Sequence, residues 1–297
     1  MTFHGIYAPI VTPFNEREEI DYNKLEHNLD KLGHSRLDGI VVLGSNGEFV
    51  YLSNKEKLEL VKFVLDNFTS HKKVIVGTSA ESTLETIELS EKVAALGADA
   101  ILVLPPHYYK LAMKEDVLYD YFIDIADASP IPVMLYNMPG NTGINLLSSL
   151  IAKLSRHENI VGIKDTSGNI VQIAEIVRDT DYGFSVFAGN AGYLLPALSV
   201  GARGATLALA NIFPDECCEI VSLFNDGKIE EAKELQLKLL EINYIVTGKF
   251  GIPGLKYSMD LLDYRGGYPR RPLKPLSEEK KLIVKETLKK VCKIKEA

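Results

Sequence analysis

The chain has 297 residues and a mass of 32.9 kDa, which accommodates one large α/β barrel or two domains of ordinary size. Hydrophobic residues make up 46% and charged residues 25%, values near those of folded globular proteins, so a disordered or collagen-like chain is excluded. The net charge of −7 gives no overall basic field that would attract a phosphate backbone, and we expect no nucleic-acid partner.

The amino-terminal residues 1–14 lack a basic segment and are interrupted by Pro9 and Pro13, unlike a signal peptide or a membrane-spanning helix. We therefore expect a cytoplasmic protein with no membrane partner. Two of the three cysteines, Cys217 and Cys218, are adjacent, and this spacing supplies neither a disulfide framework nor a tetrahedral zinc site. We expect no structural metal, and we interpret the adjacent pair as buried helix packing.

Short runs rich in Val, Ile and Leu alternate with longer stretches of helical period, a pattern typical of βα units around a parallel sheet. Eight such units predict a closed (β/α)8 TIM barrel rather than an open doubly wound sheet, which usually has fewer strands and a phosphate-binding turn. The predicted strands are 5–11, 39–43, 73–77, 100–104, 131–136, 160–164, 184–188 and 204–207.

Local signals mark where helices begin and end between these strands. Ser53 and Glu56 precede an apolar run in a capping-box arrangement, which predicts the start of a helix. Gly97 and Gly201 follow helical patterns and precede apolar runs, as expected of left-handed residues that end a helix before a strand.

The segment after the eighth run is longer than the closure of a barrel requires, and it favours further helices interrupted by the turn-rich stretch 265–269. We predict a barrel over 1–212 and a helical extension over 213–297, packed on the barrel as one structural unit. A separate domain is the alternative. The helices predicted in this segment are 215–224, 229–246 and 278–291.

Barrel enzymes carry their chemistry at the carboxyl ends of the strands, and Lys164 ends the sixth predicted strand. It follows the apolar residues 160–163, so its amine is expected to lie toward the barrel interior. Loss of solvent there disfavours a charged ammonium and leaves a nucleophilic amine that can form a Schiff base. The alternative is a strand-end lysine that extends into solvent beside Asp165.

Tyr136 ends the fifth predicted strand and precedes the loop 137–143, whose Pro and Gly residues fix the backbone. Its phenol is expected to lie at the mouth of the barrel. Because a tyrosine hydroxyl both donates and accepts a hydrogen bond, it can relay protons next to an amine or carbinolamine. The alternative is a tyrosine that caps the core and keeps its hydroxyl in water.

Two further strand ends carry polar or aromatic residues. The second run leads into 44–48, where two glycines permit close backbone approach and consecutive amides can hold a carboxylate. This segment lacks the spacing of nucleotide-binding loops, and an ordinary βα turn is the alternative. The fourth run leads into 105–109, which offers aromatic hydroxyls at this same face; packing or subunit contacts are the alternative role of these aromatic residues. We interpret the six histidines as structural or surface residues, since their spacing suggests no metal cluster.

In this order, the strand-end segments resemble the dihydrodipicolinate synthase and N-acetylneuraminate lyase superfamily, the Schiff-base pyruvate aldolases and lyases built on (β/α)8 barrels. The resemblance covers essentially the whole chain. The segments that carry it are 7–14 (YAPIVTPF), 44–48 (GSNGE), 136–139 (YNMP), 162–165 (GIKD) and 270–273 (RRPL).

The resemblance implies that Lys164 forms an imine with pyruvate or another 2-oxo acid. It implies that Tyr136 relays the proton to and from the reacting oxygen. Ser45 and Asn46 are implied to hold the carboxylate of the 2-oxo acid.

The resemblance also covers residues around the imine and at subunit contacts. Tyr109, with Tyr108 as an alternative register, matches a tyrosine that relatives pass across a subunit interface into the neighbouring site. This match implies a homo-oligomer, commonly a tetramer, with a dimer as the alternative. Gly189 and Thr206 match positions that line the pocket around the imine in relatives.

Departures from the superfamily's patterns point to a subfamily. Asn141 stands where dihydrodipicolinate synthases usually carry an arginine that binds a carboxylate, and Asn46 stands where they usually carry a second threonine. Asn190 and Ala191 stand where sialic acid lyases place acidic residues for sugar hydroxyls. The combination is most similar to 4-hydroxy-2-oxoglutarate aldolases, which implies that Asn46 and Thr166 hydrogen-bond the distal end of the substrate, with Asn141 also in the binding site.

We therefore expect a lyase that cleaves a 4-hydroxy-2-oxo acid to pyruvate and an aldehyde, with the protonated imine as electron sink and no metal or organic cofactor. Two alternatives use the same lysine. One is 4-hydroxy-tetrahydrodipicolinate synthase, which condenses pyruvate with aspartate semialdehyde, and the other is an aldolase or dehydratase of 2-oxo-3-deoxy sugar acids. An alternative of a different class is a catalytically silent protein that binds a 2-oxo acid.

Overall fold

The computed structural model of the protein describes residues 2–68, 71–292 and 294. Within these ranges, eight parallel strands close into a barrel in which each strand neighbours the next in the sequence, which confirms the predicted (β/α)8 fold. The strands are β1 (Gly5–Pro9), β2 (Gly39–Val42), β3 (Lys73–Gly77), β4 (Ala100–Val103), β5 (Val133–Asn137), β6 (Ile160–Asp165), β7 (Ser185–Ala188) and β8 (Gly204–Thr206).

The predicted strands and the observed ones agree, with shifts of up to two residues at their ends. Strand β5 begins two residues later than predicted because the hydroxyl of Ser129 donates to the carbonyl oxygen of Ile131 at 2.7 Å and closes a local turn. All residues of β2, β4, β5, β7 and β8 are buried, as expected of a parallel sheet whose strands read as continuous apolar runs.

Helices follow the strands along the chain, and the segment after β8 is helical. The helices are α1 (Tyr22–His34), α2 (Asn54–Asn67), α3 (Thr83–Leu96), α4 (Glu115–Ala128), α5 (Pro139–Thr142), α6 (Ser148–Leu154), α7 (Ile170–Asp179), α8 (Leu194–Ser199), α9 (Pro214–Asn225), α10 (Ile229–Tyr244), α11 (Gly251–Leu261) and α12 (Glu278–Lys289). None of the described helices is both long and apolar enough to cross a membrane.

The capping signals in the sequence act as predicted. Ser53 caps α2 by accepting from the backbone N–H of Glu56, whose carboxylate in turn accepts from the backbone N–H of Ser53. Gly97 ends α3 with a φ of 103°, and Gly201 lies between α8 and β8 with a φ of 100°. Both values are left-handed conformations that glycine adopts without steric cost.

Helix α11 is absent from the sequence-based prediction because its first turn contains Gly251, Pro253 and Gly254, which are poor helix formers. The proline lies in the first turn, where a missing N–H costs no helical hydrogen bond. A side chain at position 254 would press on Phe250 and on the backbone of Ile245. Close packing within the helical segment therefore explains a glycine that helix propensity disfavours.

The chain divides into two compact units. The first unit contains residues up to Gly5 together with Lys73–Thr206, and the second contains Ile6–Lys72 together with the residues from Leu207 onward. Cys217 and Cys218 are buried on α9 in the second unit, as predicted. The division into a barrel over 1–212 and an extension over 213–297 stays a prediction.

Candidate active site

The first unit brings together the two residues that the sequence marks most clearly. Tyr136 on β5 and Lys164 on β6 are direct partners in the register of the two strands. The Lys164 Nζ atom lies 4.1 Å from the centroid of the Tyr136 ring. A lysine amine therefore lies against the face of a tyrosine at the carboxyl ends of adjacent parallel strands.

Both side chains are withdrawn from solvent. Lys164 is 4% exposed and Tyr136 is 3% exposed. The alternative in which Lys164 extends into water is wrong for this structure, and Tyr136 packs against the lysine rather than presenting its ring to solvent. Burial of an amine beside a phenol creates a site in which proton transfer between the two is shielded from bulk water.

A network of buried polar groups lies directly after this pair. Asp165, the next residue of β6, accepts hydrogen bonds from the side-chain amides of Asn137 at 2.9 Å and Gln172 at 2.8 Å. It also accepts from the backbone N–H and the hydroxyl of Ser167. Asn137 donates in addition to the side-chain oxygen of Asn145 at 2.8 Å. The sequence alone marks Asp165 only as a neighbour of Lys164, because hydrogen-bond partners on separate elements leave no local pattern.

Thr166 and Gly189 lie together at the ends of β6 and β7. The Thr166 Oγ1 atom is buried and has no hydrogen-bond partner among the described residues. The N–H of Gly189 donates to the Asp165 carbonyl oxygen at 2.7 Å, and a side chain at position 189 would collide with the Thr166 hydroxyl. The Tyr193 hydroxyl donates to the same carbonyl oxygen at 2.9 Å, and burial raises the pKa of Tyr193 well above its usual value. Tyr193 therefore stays protonated and keeps this donor role.

Thr206 is the last residue of β8 and is fully buried, yet its Oγ1 atom has no hydrogen-bond partner among the described residues. A buried hydroxyl without a partner carries a desolvation cost of about 1–3 kcal/mol. A ligand that supplies a hydrogen-bond partner at this position would offset the cost. Thr206 and Thr166 are thus two polar groups with unused hydrogen-bonding capacity in the first unit.

The other predicted residues of the first unit are exposed. Tyr108 and Tyr109 are 77% and 73% exposed and contact each other edge to face, with their ring centroids 5.1 Å apart. Two backbone N–H groups, those of His107 and Tyr108, donate to Glu81 and fix the start of this turn. Asn141 lies exposed on α5. The hydrogen bonds and ring contacts described for these residues do not include Lys164.

The predicted carboxylate-binding segment lies in the second unit as a short 3₁₀ turn, Ser45–Gly47, followed by Glu48. The Thr12 hydroxyl donates to the carbonyl oxygen of Gly47 at 2.7 Å. The Asn46 side-chain amide makes a longer contact, 3.4 Å, with the carbonyl oxygen of Pro9. Glu48 takes a left-handed conformation with a φ of 55°, which is uncommon for a residue with a side chain.

An ion pair of Glu48 with Lys256 of α11 is a feature that the sequence analysis misses. The Lys256 Nζ atom lies 2.5 Å from the Glu48 Oε1 atom, and the two side chains are 2% and 0% exposed. Burial lowers the pKa of Lys256 to about 8, although attraction to Glu48 opposes this shift. The lysine therefore remains an ammonium at neutral pH.

The residues in the described part of the chain offer no group of three or more His, Cys, Asp or Glu side chains that could hold a metal ion. The arrangement in the first unit instead suits covalent chemistry by a lysine amine with proton relay by a tyrosine. The arrangement in the second unit suits the binding of an anion by a short turn.

Comparison with known proteins gives one consistent family. The Dihydrodipicolinate synthetase family model matches residues 2–291. A 4-hydroxy-tetrahydrodipicolinate synthase from Caldicellulosiruptor saccharolyticus is 38% identical over 289 residues, which cover 96% of each chain. A probable mitochondrial 4-hydroxy-2-oxoglutarate aldolase from Emericella nidulans is 39% identical and covers 95% of this chain and 93% of its own length.

Among solved structures, a dihydrodipicolinate synthase from Bacillus anthracis superposes with a TM-score of 0.95 at 30% sequence identity. The match covers 99% of this chain and 100% of that structure. Similarity therefore extends over the barrel and the helical segment that follows it.

Proposed function

Because the chain belongs to the dihydrodipicolinate synthetase family of pyruvate-dependent lyases and aldolases, we propose that it reversibly cleaves a 4-hydroxy-2-oxo acid to pyruvate and an aldehyde. The observation that carries the proposal is the buried amine of Lys164, 4.1 Å from the ring centroid of Tyr136. A Schiff-base aldolase needs this pair of groups, a shielded nucleophilic amine and an adjacent proton relay.

In the proposed reaction, Lys164 Nζ attacks the C2 carbonyl of the 2-oxo acid to give a carbinolamine. Tyr136 gives its phenolic proton to the carbinolamine hydroxyl, which leaves as water, so that a protonated imine and a Tyr136 phenolate remain. The bond between C3 and C4 then breaks, and its electron pair moves toward the imine to form an enamine. The C4 hydroxyl gives its proton to Tyr136 and becomes the aldehyde. Protonation of C3 and hydrolysis of the imine release pyruvate and restore the amine.

The other predicted site residues take binding roles in this proposal. Ser45 and Asn46 hold the carboxylate of the 2-oxo acid, through the amides and side chains of their turn. Gly189 and Thr206 line the pocket, where the unpartnered Thr206 hydroxyl is available to the substrate. In a homo-oligomer, Tyr109 reaches the site of a neighbouring subunit, and its exposure in the single chain is compatible with that role.

We propose 4-hydroxy-2-oxoglutarate as the substrate of the cleavage reaction. Its distal carboxylate needs hydrogen-bond donors, and the buried Thr166 hydroxyl is a donor without a partner. Asn46 and Asn141 add short polar groups that suit a small substrate. The similarity to the aldolase from Emericella nidulans supports this choice.

The second candidate is 4-hydroxy-tetrahydrodipicolinate synthase, which the similarity to the Caldicellulosiruptor enzyme supports equally. Both reactions pass through the same pyruvate enamine on Lys164 and differ in the aldehyde that is released or added. A comparison of two kcat/KM values decides between the candidates. One is measured for pyruvate release from 4-hydroxy-2-oxoglutarate, and the other for condensation of pyruvate with aspartate semialdehyde. A 2-oxo-3-deoxy sugar acid tested in parallel, with analysis of the products, covers aldol cleavage and dehydration.

The imine itself is tested by borohydride reduction with and without pyruvate, followed by intact mass and peptide mapping. We expect a pyruvate-dependent adduct on Lys164 in the wild-type chain and none in Lys164→Met. Lys153→Met is the matched control, because it removes an exposed lysine on α6 that pairs with Glu115. If pyruvate binds and no adduct forms on Lys164, the proposed mechanism is wrong.

A further inference from the structure

The turn that carries Ser45 and Asn46 lies in the second unit, and its successive residues contact the segment 9–12 of that unit. Its Asn46 side chain contacts the Pro9 carbonyl, and its Gly47 carbonyl accepts from the Thr12 hydroxyl. Position 47 approaches the backbone so closely that an added side chain would meet the carbonyl oxygen of Ile10 at 3.3 Å. These contacts fix the middle of the turn but leave its last residue, Glu48, to other partners.

The Glu48 carboxylate has its identified partners outside the turn. Its Oε1 atom pairs with Lys256 Nζ at 2.5 Å, and its Oε2 atom accepts from the backbone N–H of Arg270 at 2.8 Å. The Arg270 guanidinium is itself bound to the carboxylate of Glu56 at 2.6 Å and to the carbonyl oxygen of Tyr51 at 2.9 Å. The end of the turn is thus joined to residues that follow β8 in the sequence.

Lys256 connects Glu48 to the same backbone that holds the middle of the turn. Its ammonium donates to the carbonyl oxygens of Thr12 and Tyr268, each at 2.7 Å. Gly266 permits this arrangement, because a side chain at position 266 would collide with the Lys256 backbone. The ammonium therefore has three oxygen partners in a buried site, and one of them belongs to the residue whose hydroxyl binds Gly47.

Stability alone is a weak reason for this arrangement. The desolvation cost of a buried ion pair can exceed the attraction between its charges, and an apolar pair of similar volume is often as stable. Glu48 in addition adopts an uncommon positive φ, a conformation that persists when the surrounding contacts determine it. The geometry is better explained by a requirement for one defined conformation of the turn.

We propose that Lys256 is a positioning residue, whose ion pair with Glu48 holds the turn 44–48 so that Ser45 and Asn46 bind the carboxylate of the 2-oxo acid. This inference rests on the proposed function. Lys256 acts on the turn through Glu48 and Thr12 rather than by contact with the substrate. Its removal should therefore weaken the binding of pyruvate more than it slows the chemical steps.

The test uses the double variant Glu48→Gln/Lys256→Met, which removes both charges together and leaves neither one buried alone. We measure the pyruvate concentration that gives half-maximal borohydride trapping on Lys164. We also measure the kcat of the reverse reaction, the condensation of pyruvate with the aldehyde, at saturating pyruvate. Loss of the hydrogen bonds to charged groups predicts a rise of about tenfold in half-saturating pyruvate. The kcat should change much less than this.

Two further variants separate positioning from general stability. Asn28→Ala removes a buried side-chain amide that donates to the backbone carbonyl of Arg265 and accepts from its backbone N–H. Neither of these two hydrogen bonds involves a residue of the turn. It should lower the melting temperature and leave half-saturating pyruvate unchanged. Thr12→Val removes only the bond to Gly47 and should raise half-saturating pyruvate a few-fold, which keeps the inference testable if the double variant does not fold.

Each outcome has a defined meaning. Unchanged half-saturation in the double variant, or in Thr12→Val where the double variant does not fold, overturns the positioning role and leaves the proposed function intact. An equal rise in Asn28→Ala also overturns it, because the effect is then one of stability. A wild-type chain that neither binds pyruvate nor is labelled by it overturns the proposed function and this inference with it.

Discussion

Asn137 and Asp165 face each other across β5 and β6, and the Asn137 side-chain amide donates to the Asp165 carboxylate at 2.9 Å. They directly follow Tyr136 and Lys164, which are partners in the same register. Because successive residues of a strand point to opposite faces of the sheet, the side chains of Asn137 and Asp165 lie on the face opposite to those of Tyr136 and Lys164. A buried hydrogen bond between the strand ends therefore fixes the relative position of the two proposed catalytic side chains.

Replacing Asp165 by Asn should disturb the hydrogen bonds of the Asp165 carboxylate with little change in side-chain size. The carboxylate accepts from Asn137, Gln172 and Ser167, and an amide at this place turns an NH2 group toward at least one of these donors. We expect a loss of about 1–3 kcal/mol in the free energy of unfolding and a lower kcat. Urea unfolding and steady-state kinetics measure both quantities. An unchanged unfolding midpoint would show that the network is not needed.

Removing the hydroxyl of Tyr136 should slow turnover and leave the fold intact. Tyr136→Phe keeps the ring that packs against Lys164 and deletes the proposed proton relay, so kcat should fall by about 10²–10⁴-fold. Tyr121→Phe is the matched control, since its hydroxyl is also buried and donates to the Leu104 carbonyl oxygen at 3.3 Å. The control should keep its kcat. Similar rates in the two variants would exclude a special role for Tyr136.

Thr206→Val should weaken the binding of pyruvate without lowering the stability of the fold. The variant removes a buried hydroxyl that has no partner, so the free energy of unfolding of the ligand-free chain should stay constant or rise by up to about 1 kcal/mol. Pyruvate half-saturation should rise, because the substrate loses a hydrogen bond. Thr86→Val provides the contrast, since the buried Thr86 hydroxyl donates to the carbonyl oxygen of Ser82 at 3.0 Å. The control should lose stability, and a loss of equal size in Thr206→Val would contradict the expectation.

The ion pair of Glu56 and Arg270 should make the free energy of unfolding depend on pH in the acid range. The hydrogen bond from Arg270 is the main reason that the pKa of Glu56 falls from 4.5 to about 2, against an opposing effect of burial. Since the folded chain binds this proton less readily, the contribution is fully present above pH 4.5 and is lost as the pH falls toward 2. Because the Glu56 side chain is 30% exposed, we expect a contribution of only about 1 kcal/mol.

Urea unfolding of the wild-type chain and Glu56→Gln between pH 6 and pH 2.5 measures this contribution. The difference in free energy between the two chains should narrow as the pH falls. Glu59→Gln, which removes an exposed partner of Lys55, is the matched surface control. A constant difference between Glu56→Gln and the wild-type chain would mean that Glu56 does not titrate differently in the folded state.

The sequence by itself determines the βα alternation, and with it the barrel. Buried parallel strands are short apolar runs, and helix caps such as Ser53 with Glu56 are local patterns, so both are legible without tertiary contacts. Lys164 and Tyr136 are identified for the same reason: each is a reactive side chain at the end of an apolar run. Helix α11 is the exception, since packing overrides the low helix propensity of its first turn.

Only the tertiary structure decides what surrounds these residues. Lys256 and Thr12 are 244 residues apart, and no local pattern predicts that an ammonium on a late helix binds the backbone near β1. Likewise, nothing in the sequence indicates that the hydroxyls of Thr166 and Thr206 are buried without partners. Hydrogen bonds and ion pairs between distant elements depend on the final positions of the chain, whereas strand and helix signals depend on neighbours in the sequence.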